Sequence, residues 1–324
     1  MLRRWLIAVT LAGALVAVMG LAALSGCGSE AEEPLAPRLL VIARGSEGDA
    51  RSGAGLAEAI TRDLPRLTAS VEHTNGSIEN LNLLRTGRVQ LAFTLADAAG
   101  RARGGRGRVT APDAVVGLAQ LYDDYVQVVV RDSSDIGTMA DLAGRRVSVG
   151  PRDSGTELVA KRVLAVSDLD GSHQPLRQHL DIRAAARALA DRRIDAFFWS
   201  GRLPTAAIAA LQSSISIRLL DLGEAAARLR HRYSPDVYVQ SRIPRAVYRV
   251  REPVTTVSVP SLLVVRRDLD DETAYRLTRL VVGRSDELEG SRAQALRFNS
   301  RSAPTVYPLE LHPGAARWYH DQAP

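Results

Sequence analysis

Between residues 38 and 97 the chain alternates strand and helix signals closely enough to leave few architectures open. Residues 38–43 (RLLVIA) form a short apolar run that reads as a buried strand. A polar, glycine-bearing stretch follows, and then residues 55–64 show helical apolar spacing at Leu56, Ile60 and Leu64 before Pro65 stops them. Residues 68–74 (TASVEHT) read as a second strand. Ser77 is placed to cap the next helix, which Ile78, Leu81 and Leu84 line on one face and Gly87 closes. Residues 89–97 (VQLAFTLAD) return to a strand. A β-α-β-α-β order of this kind implies a parallel sheet with crossover helices.

The alternation resumes further on. Residues 114–132 (AVVGLAQLYDDYVQVVVRD) look like two extended segments leading out of the first unit. Residues 141–164 give turn, strand, loop and helix, and residues 173–200 and 216–222 continue the pattern. The segment 254–269 (VTTVSVPSLLVVRRDL) reads as a long strand returning to the first unit, followed by helices from about Asp270. Leaving a unit and re-entering it later implies two lobes with two crossing strands. The expectation is therefore an α/β chain with two mostly parallel sheets and flanking helices. Residues 38–131 with 223–324 form lobe 1, and residues 132–222 form lobe 2.

The N-terminus suggests a compartment. Arg3 and Arg4, an apolar run from Trp5 to Leu24, and Leu24-Ser25-Gly26-Cys27 match a secretory signal peptide ending in a bacterial lipobox. Cys27 would carry the lipid and begin the mature chain. An uncleaved membrane anchor is the other reading of the run, which is about long enough to span a bilayer. Cys27 is the sole cysteine, so no internal disulfide and no cysteine-bound metal are possible. Residues 28–37 are small, acidic and proline-bearing, which suits a tether between lipid and lobes. The formal charge of +6 falls to +4 when Arg3 and Arg4 leave with the signal. The excess is nearly all arginine, since Lys161 is the only lysine, and nucleic acid is not an expected partner of an exported lipoprotein. A monomer is expected.

Three strand-end loops carry the candidate binding chemistry. Ser154, with Glu157 three residues on, makes a capping box after the strand at 145–149. Such a helix start offers free main-chain N–H groups and the positive dipole end, which favour an anion. The turn Thr74–Asn80, with Ser77, opens a helix in the same way, and Arg44, Gly45 and Ser46 begin a glycine-bearing loop. Open α/β sheets bind ligands at the carboxyl ends of their strands. A fourth candidate is residues 197–204 (FFWSGRLP), where Trp199 and Ser200 can face a cleft. Arg44, Arg51, Arg152 and Arg202 all fall in these loops, and a guanidinium can clamp a carboxylate with two hydrogen bonds. The alternative for each is an ordinary cap, core aromatic or solvated arginine.

Catalytic patterns are not evident. The histidines at 73, 173, 179, 231, 312 and 320 lack metal-ligand spacing, and no nucleophile elbow or phosphate loop occurs. No metal or other cofactor is expected. Asp123 and Asp124 are adjacent and would project to opposite faces of a strand. His312 reads as a turn or packing residue. The arginine-rich run 101–108 reads as a solvated loop, with an anion patch as the alternative.

Four segments carry a family resemblance. They are TNGSIENLNLLRTGRVQLAFTLAD (74–97), GRRVSVGPRDSGTELVAKRVL (144–164), IDAFFWSGRLPT (194–205) and LHPGAARWYH (311–320). Together they resemble the TAXI-type solute-binding subunits of TRAP transporters. The resemblance implies a two-lobed type II periplasmic-binding fold, capture of a small carboxylated solute of the glutamate or 2-oxoglutarate kind, and delivery to an ion-driven membrane permease. It places Gly45, Ser77, Ser154, Gly155, Thr156 and Ser200 near the solute. The first loop departs from the family: Arg44, Glu47, Asp49 and Arg51 stand where a neutral stretch ending in paired tyrosines is common, and Arg152 and Asp153 occupy the lobe 2 loop. An altered pocket follows. A lipid-anchored sensory module docking on a receptor or kinase, or an exported hydrolase, are the alternatives from other classes.

Overall fold

The computed structural model describes residues 38–45, 50–103, 114–283 and 302–323. The signal stretch, Cys27, the tether, Ser46 and most of the 101–108 loop lie outside those residues.

The first half follows the expected alternation. Strand β1 (Arg38–Gly45) leads to helix α1 (Ala50–Asp63), β2 (Leu67–Thr74), α2 (Ser77–Arg85), β3 (Leu91–Leu95) and α3 (Ala96–Arg103). β1 pairs in parallel with β2 and β3. β3 is buried at every position, as a strand covered on both faces should be. α2 closes where expected: Gly87 is left-handed at φ 73°, and Arg88 N–H donates to the Leu83 carbonyl at 3.0 Å.

The middle of the chain is one strand rather than two extended segments. β4 runs unbroken from Val115 to Arg131. After it come β5 (Arg146–Ser148), α4 (Gly155–Val166), β6 (Leu176–Gln178), α5 (Ile182–Ala190), β7 (Ala196–Gly201), α6 (Ala206–Gln212) and β8 (Ile217–Leu219). α5 is capped by Asp181, whose carboxylate accepts from the N–H groups of Arg183 and Ala184. Helix α7 (Gly223–Arg232), strand β9 (Val239–Ile243) and helix α8 (Arg245–Tyr248) precede β10 (Val254–Arg266). α9 (Asp271–Gly283) and α10 (Pro313–Asp321) complete the described elements.

The strands form a single sheet in the order β2-β1-β3-β10-β4-β7-β5-β6, with β8 on β4 and β9 on β10. This corrects the expectation of two sheets. β4 is long enough to pair with β10 over Val115–Tyr125 and with β7 over Tyr125–Val130, so the crossing strands hydrogen-bond both halves into one ladder. Pairing is parallel within β2-β1-β3 and β7-β5-β6, and antiparallel wherever β4 or β10 takes part. Pro260, which has no N–H to give, sits opposite Asp123 beside a register shift at Ser261/Leu262.

Three apolar clusters hold the sheet and helices together. One packs α1, α9 and α10 on the outer face of β1 and β4, with Leu56, Ile60, Leu277 and Trp318. A second packs α5, α6 and α8 on β7, with Phe197, Trp199, Ile208 and Tyr248. The third joins Leu81, Leu84 and Leu95 of the first half to Val159, Leu164 and Phe198 of the second. Burying each such side chain contributes about 1.5–3 kcal/mol. His312 is fully buried: its Nδ1 accepts the Gly314 N–H at 3.1 Å to cap α10, and its Nε2 meets the Leu269 carbonyl at 2.9 Å. It is a packing histidine, as its turn sequence suggests.

Candidate functional site

The strand-end loops meet. Gly45, at the end of β1, is so close to the β2–α2 turn that a Cβ there would lie 2.6 Å from Gly76 Cα. Gly76 itself has φ 137°, a conformation that favours glycine. Asn80 rigidifies this turn: its Nδ2 donates to the Phe93 carbonyl at 2.7 Å, and its Oδ1 accepts from the Thr74 hydroxyl. Gly155, the first residue of α4, abuts the same place from the other half. A Cβ on it would meet Leu95 Cδ1 at 2.6 Å and Ser77 Oγ at 2.7 Å.

Two helix starts behave differently. Ser154 caps α4 by accepting the Glu157 N–H at 3.0 Å, and Glu157 returns by accepting the Asp153 N–H at 2.9 Å. Lys161, at 2.6 Å, is among the groups that hold the Glu157 carboxyl below its usual range despite burial. α2 departs from expectation. Ser77 does not cap it; its Oγ accepts the Leu95 N–H at 3.1 Å, because Ser77 is already the first helical residue. The N–H groups of Ile78 and Glu79 both donate to the main-chain oxygen of Asp153, at 3.1 Å each. The positive end of α2 is thus met by a protein dipole from the second half.

The polar crevice lies beside this junction and centres on β4. Arg44 is 2% exposed, with its guanidinium 4.9 Å from the Phe93 ring centroid. Arg202, just past β7, stands 4.9 Å over the Tyr122 ring. Arg44, Gly45, Ser77, Asn80, Tyr122, Asp124 and Ser261 border a hollow of about 30 Å³, room for a water or two. A second cavity of about 320 Å³ has Tyr122, Asp123, Tyr125, Arg202 and Ser302 in its wall, and reaches the size range of small-molecule sites. Tyr122 belongs to both.

Burial pushes the Asp124 carboxyl up to about 7, against the lowering pull of Arg44 and Arg202 and with a push from Asp123. Burial also raises Asp123, and it raises the Tyr122 phenol despite Arg44 nearby. Asp123 and Asp124 project to different cavities, as neighbours on a strand must. Among the described residues, no donor hydrogen-bonds to the Asp124 carboxylate.

Of the residues singled out in the sequence, Arg44, Gly45, Ser77 and Arg202 border the cavities. Ser154, Gly155 and Thr156 are buried at the junction but line neither; the Thr156 hydroxyl accepts the Ser200 N–H at 3.1 Å. Ser200 is fully buried and likewise lines neither cavity. Trp199 packs in the cluster beneath α5 and α6, so it is a core residue. Arg152 is exposed and lines neither cavity. Ser46 lies outside the described residues, as do the side chains of Arg51 and the lipobox Cys27. Asn80 closes the candidate turn Thr74–Asn80, whereas Tyr122, Asp123, Asp124 and Ser261 are not among the binding residues expected from the sequence. A signal existed for three of them: residues 122–125 (YDDY) set two adjacent carboxylates in the middle of a largely apolar 17-residue strand. Among the described residues, no group of three or more His, Cys, Asp or Glu side chains could hold a metal ion, and no helix is long and apolar enough to cross a membrane.

The fold has many solved counterparts. PhnD1 from Prochlorococcus marinus, solved in complex with methylphosphonate, superposes with a TM-score of 0.55 at 11% identity, over 80% of this chain and 89% of that one. A binding protein component of an ABC phosphonate transporter from Pseudomonas aeruginosa gives 0.52 at 12% identity, over 81% and 80%. A Xanthomonas citri protein bound to chloride, XAC2383, gives 0.52 at 12% identity, over 87% and 95%. At these identities the likeness establishes a shared periplasmic-binding-protein fold. The sequence match is to a family model that covers residues 45–322, nearly all of the chain outside its first 44 residues, and on that match the protein belongs to the NMT1-like family.

Proposed function

We propose that this protein is the extracytoplasmic solute-binding component of a membrane transporter and captures a small acidic solute without transforming it. The observation that carries the reading is the crevice at Tyr122, where Arg44 and Arg202 approach from opposite halves of the sheet. Two guanidiniums stacked on rings are preorganised to bind a carboxylate or phosphonate, since little side-chain entropy is left to lose. The phosphonate complex of a structural neighbour agrees with an acid group as the anchor.

In this reading the chain divides into two lobes that close about β4 and β10, a hinge motion of the binding-protein kind. The second lobe, residues 132–222 by the sequence, would then extend to about residue 253, a reading supported by the packing of Ile243, Tyr248 and Val250 with Phe197 and Ile208. The four resembling segments favour a permease of the TRAP type, in its TAXI branch, and a carboxylated solute of the glutamate or 2-oxoglutarate kind. The lipobox at Cys27 would tether the lobes to the outer face of the membrane through residues 27–37.

A thermal-shift screen of mono- and dicarboxylates, amino acids and alkylphosphonates tests the proposal. A true ligand at 100 times its Kd should stabilise the protein by about 2.7 kcal/mol through mass action. Arg44→Ala and Arg202→Ala should each weaken the best hit by roughly tenfold or more. Unchanged affinity in both variants would remove the arginines from the mechanism, and chemical turnover of the ligand would replace capture with catalysis.

A further inference from the structure

Asp124 is out of place in a site built only to hold an anion. Its carboxylate lies beside the two guanidiniums, partly shielded from water, and receives no hydrogen bond among the described residues. A shielded carboxylate without donors is costly unless a proton or another cationic donor meets it.

Among the described residues, the surroundings leave few candidates for that partner. Arg44 faces Asp124 from β1 and Arg202 from the segment after β7, and each is stacked on a ring. Asp123 and Tyr122, on its own strand, add a like charge and a neutral phenol. α2, β3 and β10 contribute Ser77, Asn80, Thr94 and Ser261, none of which titrates near neutrality. Asn80 is already engaged with Thr74 and Phe93.

We infer that Asp124 is a specificity-determining residue: it selects a solute that carries a protonated amine beside its acid group over the same acid without the amine. The inference rests on the crevice being the ligand site. The charges explain the choice. Asp123 and Asp124 already place two carboxyl groups beside Arg44 and Arg202, so each further anionic group adds negative charge to a poorly solvated site. An ammonium on the same solute offsets one such charge. The solute's acid group meets the guanidiniums, and its ammonium, about the size of a water, enters the smaller hollow beside Tyr122 and supplies the donors that the Asp124 carboxylate lacks.

The two ligand types also move protons in opposite directions. Asp124 has a pKa raised to about 7, so both of its forms are accessible near neutrality. An ammonium against it favours the carboxylate and releases protons on binding. An acid without the amine favours the neutral carboxyl and takes protons up.

Isothermal titration of the full chain at pH 7, with L-glutamate against glutarate, L-alanine against propionate, and aminomethylphosphonate against methylphosphonate, tests this. The amine-bearing member of the binding pair should bind roughly tenfold tighter or more. Asp124→Asn should erase the preference by weakening the amine-bearing ligand while the amine-free acid binds equally well or better. Titration of the wild type in two buffers of different ionisation enthalpy reads the proton balance without any variant. A wild type with no preference for the amine, a preference that survives Asp124→Asn, or proton uptake with the amine-bearing ligand overturns the inference and leaves the acid-binding crevice standing. Binding of no member of any pair overturns the crevice reading and this inference together.

Discussion

The main-chain oxygen of Asp153 accepts the N–H of Ile78 at 3.1 Å, so a loop from one half of the sheet caps the first turn of a helix in the other. Asp153 adopts φ 58° to present that oxygen, a left-handed conformation that aspartate tolerates better than most residues. The contact depends on Gly155, next along the loop but one, having no side chain.

Gly155→Val is therefore expected to prise the junction apart. Its Cβ would lie within 2.7 Å of both Leu95 Cδ1 and Ser77 Oγ, and neither can retreat, because Leu95 is core and Ser77 is bonded to the strand end. A loss of about 1–3 kcal/mol in urea denaturation is expected from overpacking, with weaker binding of the best ligand. Wild-type stability in this variant would show that the halves can part without loss.

Asp97 is the second tie between the halves. It is fully buried, its Oδ2 accepts the Tyr238 hydroxyl at 3.0 Å, and Arg162 lies 3.7 Å away. Burial raises its pKa, opposed by Arg162 and Tyr238. Asp97→Ala strands the largely buried Arg162 guanidinium and is expected to cost about 3–5 kcal/mol, read from denaturant midpoints. Arg162→Met in the same background should recover part of that loss.

The pH dependence of stability should carry the mark of Asp124. Its folded pKa, about 7, lies above the unfolded value near 3.8, so the folded state binds the proton more tightly. The stabilising contribution is complete below pH 4 and is lost as pH rises towards 7. At about 1.4 kcal/mol per unit the loss could not exceed roughly 4 kcal/mol, and the water that reaches this half-buried group lowers it. Asp124→Asn should equal wild type near pH 4 and be more stable at pH 8. Parallel stability curves for the two proteins would contradict this.

Gly53 sets the position of Arg44. A Cβ on Gly53 would lie 2.5 Å from Arg44 Cδ, the middle of a flexible side chain. Gly53→Ala gains up to about 1 kcal/mol of helix propensity in α1, which should offset much of the steric cost. Stability is expected to stay within about 1 kcal/mol of wild type, while ligand affinity drops because the guanidinium is displaced from Phe93. Calorimetry of the best ligand checks the affinity, and unaltered binding would mean that Arg44 can be moved freely.

Much of the architecture is legible along the chain. The apolar runs at 38–43, 89–97 and 194–200, the stop at Gly87 and the Ser154–Glu157 capping box depend on neighbours a few residues away, and each forms in place, except that Ala96 and Asp97, expected to end a strand, open α3. His312 as a packing residue is readable in the same way. The region 206–248 was less legible. Its helices and β9 are short or polar, and they are held by packing against α4, β10 and β7 rather than by their own periodicity.

The site divides along the same line. Local pattern by itself determined that three strand-end loops bearing glycine and serine would exist, since backbone propensity and capping act within one or two turns. Only the tertiary structure decided which of their residues share a crevice. It placed Arg202 over Tyr122, buried Trp199 in the core, left Arg152 exposed and filled the start of α2 with the Asp153 carbonyl. The physical reason is that desolvation and Coulomb forces depend on distance in space. Burial raises the Asp124 pKa while Arg44 and Arg202, about 80 residues away on either side, pull it down, and no window along the chain contains both effects.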